Sequence, residues 1–186
     1  MGRYVNRANT IAVAVLVLAL TASFCAADTR HWNGAGADNF ASTPGNWLEG
    51  APIADDDIVL DATTNKFMTW DTNAPASVGS WTQVGYLGTV TVATVYGTNG
   101  FTNFAIVGNC IISNGGWTHI VNAGTEQYRL VATIGGNLVV GPAGRIDASA
   151  KGSTAGAGTG INNTKASSYG GQGGIEGVGA SGPGPG

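Results

Sequence analysis

The sequence predicts an all-β protein, specifically the start of a parallel β-helix, and three observations carry that prediction. Short runs rich in Thr, Val, Ile and aromatic residues recur from residue 57 to residue 140, most of them bounded by Gly, Asn, Asp or Pro; strands separated by turns read this way. No convincing helical period follows the first thirty residues. A segment also repeats: Gly108-Asn109-Cys110-Ile111-Ile112-Ser113-Asn114-Gly115-Gly116 aligns with Gly136-Asn137-Leu138-Val139-Val140-Gly141-Pro142-Ala143-Gly144 at a spacing of 28. Recurrence at this interval marks a solenoid, in which each coil packs on its neighbours. A sandwich or jelly roll containing two similar hairpins is the competing arrangement. Apolar triplets such as Cys110-Ile111-Ile112 favour the solenoid, because they suit covered strands better than a sheet with one wet face.

Residues 1–27 read as an export signal. Arg3 and Arg7 form a basic start, Ile11 to Leu20 is an unbroken apolar run, and mostly small residues lead to Ala27, which suits cleavage before Asp28. Ten apolar residues fall short of the about 20 that span a bilayer. Phe24 before Cys25 speaks against a lipoprotein signal. Cleavage leaves 6 Lys+Arg against 11 Asp+Glu, a net charge of −5, and Cys110 as the one thiol. Packing or a metal, not an intrachain disulfide, must then hold the exported chain together.

Residues 28–56 form a turn-rich N-terminal cap segment with Trp32 and Trp47. Residues 57–150 are the solenoid coils. Strand runs are expected at Ile58–Leu60, Phe67–Trp70, Val78–Val84, Thr89–Tyr96, Phe104–Val107, Cys110–Ile112, Trp117–Val121, Tyr128–Ile134 and Asn137–Val140. Residues 151–186 are a Gly-rich low-complexity tail with four large apolar residues, Ile161, Tyr169, Ile175 and Val178, too few to offset backbone ordering. A solenoid needs a polar cap on its last coil, so the chain reads as truncated.

Composition removes several functions. Charged residues are 10 % of the chain, against roughly 25 % in ordinary domains. There is no basic footprint for nucleic acid and no charge-patterned helix. Of the 31 glycines, 15 lie in residues 141–186 without the period of collagen.

Trp32-Asn33-Gly34, Asn46-Trp47, Gly50, Pro52 and Asp55-Asp56-Asp57-Ile58-Val59-Leu60 stand in an order that resembles the N-terminal region of large secreted bacterial β-helix proteins of the autotransporter-passenger and adhesin-like type. Val78-Gly79-Ser80 through Gly88-Thr89-Val90, and Gly136-Asn137-Leu138-Val139-Val140 through Gly144-Arg145-Ile146-Asp147, look like later coils of that pattern. The resemblance covers about residues 31–174. It implies secretion or surface display, with surface glycans or other cell-surface proteins as partners, and brings no catalytic residues.

The candidate chemistry is sparse. Asp55, Asp56 and Asp57 suggest a Ca²⁺ site, since hard cations take several carboxylate oxygens; consecutive residues on an extended chain point to opposite faces, which favours a solvated turn. The five tryptophans, Trp32, Trp47, Trp70, Trp81 and Trp117, read first as filling the core and cap of a chain poor in Leu and Phe, with Trp32 and Trp47 as the candidate exceptions that would stack on glycans. His31, His119 and Cys110 show no metal spacing. Arg145 with Asp147 is the one basic–acidic alternation in a strand-like setting, read as a solvated pair. The expectation is an exported structural or adhesive protein without enzymatic activity and without a cofactor; the N-terminal part of a carbohydrate-active β-helix enzyme and a sugar-binding module are the alternatives.

Overall fold

The computed structural model describes residues 27–123 and 126–152. The segment expected as an export signal, apart from Ala27, and the expected Gly-rich tail, apart from Lys151 and Gly152, lie outside these residues. The strands are β1 (Thr29–His31), β2 (Asp57–Leu60), β3 (Met68–Trp70), β4 (Ser77–Val78), β5 (Ser80–Gln83), β6 (Thr89–Val92), β7 (Thr94–Gly97), β8 (Gly100–Phe101), β9 (Phe104–Ile106), β10 (Cys110–His119), β11 (Tyr128–Arg129), β12 (Ala132–Ile134) and β13 (Leu138–Ile146). The one helical element among the described residues is a 3₁₀ turn at Pro44–Asn46.

Parallel pairing stacks these strands into a β-solenoid of about four turns. On the first face β1, β2, β5 and the N-terminal part of β10 lie side by side, followed by the start of β13. The second face stacks β3, β6, the C-terminal part of β10 and the end of β13. The third stacks β4, β9 and β12. Thr29 lies beside Asp57, Asp57 beside Ser80, Trp81 beside Cys110 and Cys110 beside Leu138, so successive coils are 23 to 29 residues long.

The 28-residue sequence repeat is therefore one coil laid on the next, with Cys110, Ile111 and Ile112 beside Leu138, Val139 and Val140. Beyond Ile112 the register slips: Asn114 pairs with Ala143 and Gly115 with Gly144. The extra residue sits at Gly141-Pro142. Pro has no N–H to give a ladder, which suits a bulge.

The coils touch closely at one corner. Gly79 N–H donates to Asp56 O at 2.8 Å, Gly108 N–H to Gly79 O at 2.7 Å and Gly136 N–H to Gly108 O at 2.9 Å. A Cβ on Gly79 would stand 2.4 Å from the Asp55 carbonyl oxygen. Glycine recurs there because the backbone of the neighbouring coil fills the space.

Three expected strands divide. Val78–Val84 breaks at Gly79, Thr89–Tyr96 breaks at Ala93, and Tyr128–Ile134 breaks at Leu130-Val131 into β11 and β12, which pair with different strands. After the break at Ala93 β7 leaves the solenoid and pairs antiparallel with β8 and β11 as a side hairpin. Residues 110–112 and 117–119, expected as separate runs, join in the single strand β10.

Within the coils alternate residues point inward: Ile58 and Leu60, Met68 and Trp70, Val90 and Val92, Phe104 and Ile106, Cys110 and Ile112 are buried. Their neighbours face outward as Thr, Val, Ala or Ile and are partly exposed. The strands thus alternate after all, with a closed interior in place of a second covering layer. Among the described residues, the last coil leaves Leu138, Val140 and Ile146 exposed.

Residues 28–56 build the first, irregular coil. β1 joins the first face, and Thr69 and Ala41 exchange backbone hydrogen bonds with Asn39 and Thr69 across the second, at 2.7 and 2.8 Å. Lys66 ties this coil to the next: its Nζ donates to Gly34 O at 2.8 Å, to Gly36 O at 2.6 Å and to Asn46 Oδ1 at 3.3 Å. Asn46 is fully buried, and its amide donates to Asp38 and the Phe40 carbonyl.

Candidate functional site

The structure places Trp32 and Trp47 inside the solenoid with the other three indoles, 1 % and 3 % exposed, which agrees with the core reading and corrects the alternative that these two present faces to glycans. All five indoles form one column. Ring centroids are 5.2 Å apart for Trp32 and Trp47, 6.4 Å for Trp47 and Trp70, 5.4 Å for Trp70 and Trp81, and 5.1 Å for Trp81 and Trp117, all edge to face. Phe104 completes it at 4.9 Å from Trp70. Edge-to-face geometry puts the positive ring edge on the negative face and adds about 0.5–1.5 kcal/mol per pair to burial. Each indole N–H has an acceptor: Lys66 O, Ala41 O, Pro75 O and, for both Trp81 and Trp117, the side-chain oxygen of buried Gln83. The first coil's irregular backbone hides Trp32 and Trp47, and local sequence carries no sign of that.

Asp55, Asp56 and Asp57 do not converge, which corrects the Ca²⁺ expectation. Asp55 turns the chain in the left-handed region, at φ 69°, a conformation Asp tolerates better than most residues. Asp57 points outward and accepts the Ser80 hydroxyl at 2.6 Å. Asp56 is buried and accepts Arg30 Nε at 2.7 Å, Ile53 N–H at 2.9 Å and Asp28 N–H at 3.1 Å. Burial pushes the Asp56 carboxyl up, but these donors outweigh it and hold the group below the usual carboxylate range. Arg30 is raised in turn, first by its hydrogen bond to Asp56. Among the described residues no cluster of three or more His, Cys, Asp or Glu side chains is placed to hold a metal ion.

The two histidines and Cys110 sit in structural settings. His31 Nδ1 lies 2.8 Å from Glu49 Oε1, and His119 Nδ1 donates to the Ile120 carbonyl at 2.8 Å. Cys110 is fully buried, and burial pushes its thiol up to about 12, which removes nucleophilic character at neutral pH. Arg145 and Asp147 form no ion pair with each other.

What sequence reasoning missed is the side hairpin. β7 and β8 close on Thr98-Asn99 with Gly100 at φ 103°, so the Asn99-Gly100 dipeptide was the available signal. The hairpin holds Tyr96 out at 64 % exposure, its ring 5.1 Å from Phe101. The Arg129 guanidinium lies 4.6 Å over the Phe101 ring. Between the hairpin base and the corner of the preceding coil lies a cleft of about 190 Å³, lined by Trp70, Pro75, Val92, Val95, Asn103 and Phe104 among others. Its polar rim is committed internally: Trp70 Nε1 donates to Pro75 O, and Asn103 Oδ1 accepts Thr133 Oγ1. Ligand pockets run to about 300–1,000 Å³. A cleft this small admits one apolar side chain or ring edge, and Trp70 shows it no open face for stacking a sugar.

Fold and surface together define a parallel β-solenoid carrying one inserted hairpin. No protein family, no curated protein and no solved structure matches the chain.

Proposed function

We propose that the chain is an exported structural or adhesive solenoid, whose stacked coils hold a protruding contact element away from the surface that bears it. The observation that carries this reading is the hairpin of β7 and β8. It departs from the coil pattern and exposes Tyr96, braced by the half-buried Phe101, beside a shallow apolar cleft, on a body whose other large aromatics are mostly spent on packing. Exposed Tyr with a neighbouring cation suits contact with partner surfaces, because the ring offers apolar area and a hydroxyl at small entropic loss. The basic start and apolar run of residues 1–27 support export.

Two measurements test it. N-terminal sequencing of protein recovered outside the expressing cell should begin at Asp28; retention inside the cell with an intact N-terminus refutes export. Beads coated with the protein should adhere to cells or surface polysaccharide, and Tyr96→Ser with Phe101→Ser should lower retention several-fold at unchanged melting temperature. Equal retention refutes the contact role, and release of reducing sugar from the polysaccharide would favour an enzyme.

A further inference from the structure

A second cleft, also of about 190 Å³, opens on the second face where the last two coils meet, lined by Thr89, Thr118, Arg145, Asp147, Ser149 and Lys151 with Trp117 behind them. Register brings these residues together. Thr89, Gly116 and Arg145 form one outward column, and Thr118 stands two positions along β10 from Gly116. Gly116 makes room for the basic side chain: a Cβ there would stand 2.8 Å from Arg145 Cγ and 3.0 Å from Arg145 Nε. The Arg145 side chain therefore passes over Gly116 while remaining exposed.

Thr118 is 8 % exposed, and its hydroxyl is the one buried side-chain polar atom without a hydrogen-bond partner among the described residues. Buried hydroxyls are rarely left so, because each gives up its water without replacement. The side chains of Arg145 and Lys151 make no hydrogen bond or ion pair with other described residues. Asp147 is turned into its own loop, where its carboxylate accepts the Ser149 N–H at 2.8 Å. Two cations against one engaged carboxylate leave the cleft positive.

We infer that this cleft binds an oxyanion, the carboxylate or sulfate group of a small molecule or a saccharide. Arg145 supplies a planar fork of donors that matches such a group, Lys151 supplies a second positive charge, and Thr118, whose hydroxyl is closed to solvent without a ligand, supplies an unpaired donor at the cleft floor. Asp147 disfavours bare dianions and accepts hydroxyl donors, so a singly charged acid group on a hydroxylated carrier fits best. The inference rests on this cleft alone and is independent of the adhesive reading.

The test is an amide NMR titration of the full chain with sodium acetate, sodium methyl sulfate, sodium glucuronate and, as the neutral control, glucose. Saturable shifts at Thr118, Arg145 and Lys151 are expected with the anions and not with glucose. Tighter binding of glucuronate than of acetate assigns the group to a sugar, and the reverse assigns a free anion. Thr118→Val keeps the shape, should raise the melting temperature by removing the unpaired hydroxyl, and should weaken binding about tenfold. Arg145→Gln and Gly116→Ala should weaken it similarly, the latter by displacing the Arg145 side chain. No saturable shift up to about 50 mM anion, equal response to glucose, or unchanged affinity in Arg145→Gln overturns the assignment.

Discussion

Gln83 is the polar centre of the solenoid interior, and replacing it separates the roles of shape and hydrogen bonding. Its side-chain oxygen accepts Trp81 Nε1 at 3.3 Å and Trp117 Nε1 at 3.2 Å, while its amide donates to Asn114 O at 2.6 Å. Gln83→Leu keeps the volume but leaves two buried indole N–H groups without an acceptor. Each costs about 1–3 kcal/mol, offset by about 1–3 kcal/mol from no longer burying an amide. The net loss is about 1–3 kcal/mol, a fall of about 0.5–1.5 M in the urea midpoint at an m-value of about 2 kcal/mol per M. Gln83→Glu sharpens the test. In its neutral form the introduced carboxyl accepts both indoles and donates to Asn114 O; ionised, it has no proton to donate and carries an uncompensated buried charge. Its folded-state pKa then lies above the unfolded value of about 4.3, and stability falls by about 1.4 kcal/mol per pH unit between the two. Far-UV circular dichroism in urea at pH 4 and pH 7 reads both effects. Midpoints of Gln83→Leu at the wild-type value, or of Gln83→Glu equal at the two pH values after subtraction of wild type, refute the reasoning.

Asp56→Asn removes the charge facing Arg30 and should lower stability by about 3 kcal/mol at pH 7. Because the folded Asp56 pKa is depressed, its contribution is present above the unfolded value and is lost as pH falls through the folded one. The variant should therefore lose less stability on acidification than wild type, measured by denaturant midpoints from pH 6 to pH 2. Gly79→Ala places a methyl 2.4 Å from the Asp55 carbonyl oxygen, which only separation of two coils can relieve. It should cost about 1–3 kcal/mol, visible as a lower melting temperature by calorimetry. Cys110 should resist iodoacetamide at pH 8 in the folded chain and react on unfolding in urea; alkylation of the native protein, read by mass spectrometry, contradicts the burial assigned to it.

The sequence made the coil repeat visible where the chain keeps a strict residue count, as in the pairing of Cys110-Ile111-Ile112 with Leu138-Val139-Val140. It concealed the slip after Ile112, because an ungapped comparison passes over a bulge. The run from Thr89 to Tyr96 alternates only as far as Val92 and changes phase at Ala93, and that local change does not say that Val95 leaves the solenoid to pair with another strand. That turn is decided by tertiary pairing with β11, a strand more than thirty residues away. Trp32 and Trp47 look free in a Gly-rich segment; their burial depends on Trp70 and on the carbonyls of Lys66 and Ala41, which no short window contains. The outward column of Thr89, Gly116 and Arg145 was equally hidden. Arg145 and Asp147 stood out as an alternation, but Thr118 entered the cleft only through register.

The aromatic column has an optical consequence. Five indoles whose centroids lie between 5.1 and 6.4 Å from the next are close enough to pass excitation along the stack before emission. Light absorbed in the first coil is then reported from wherever the lowest-energy ring sits. The intrinsic emission of this chain is a property of the whole column, and a change in its colour dates the moment at which the coils separate.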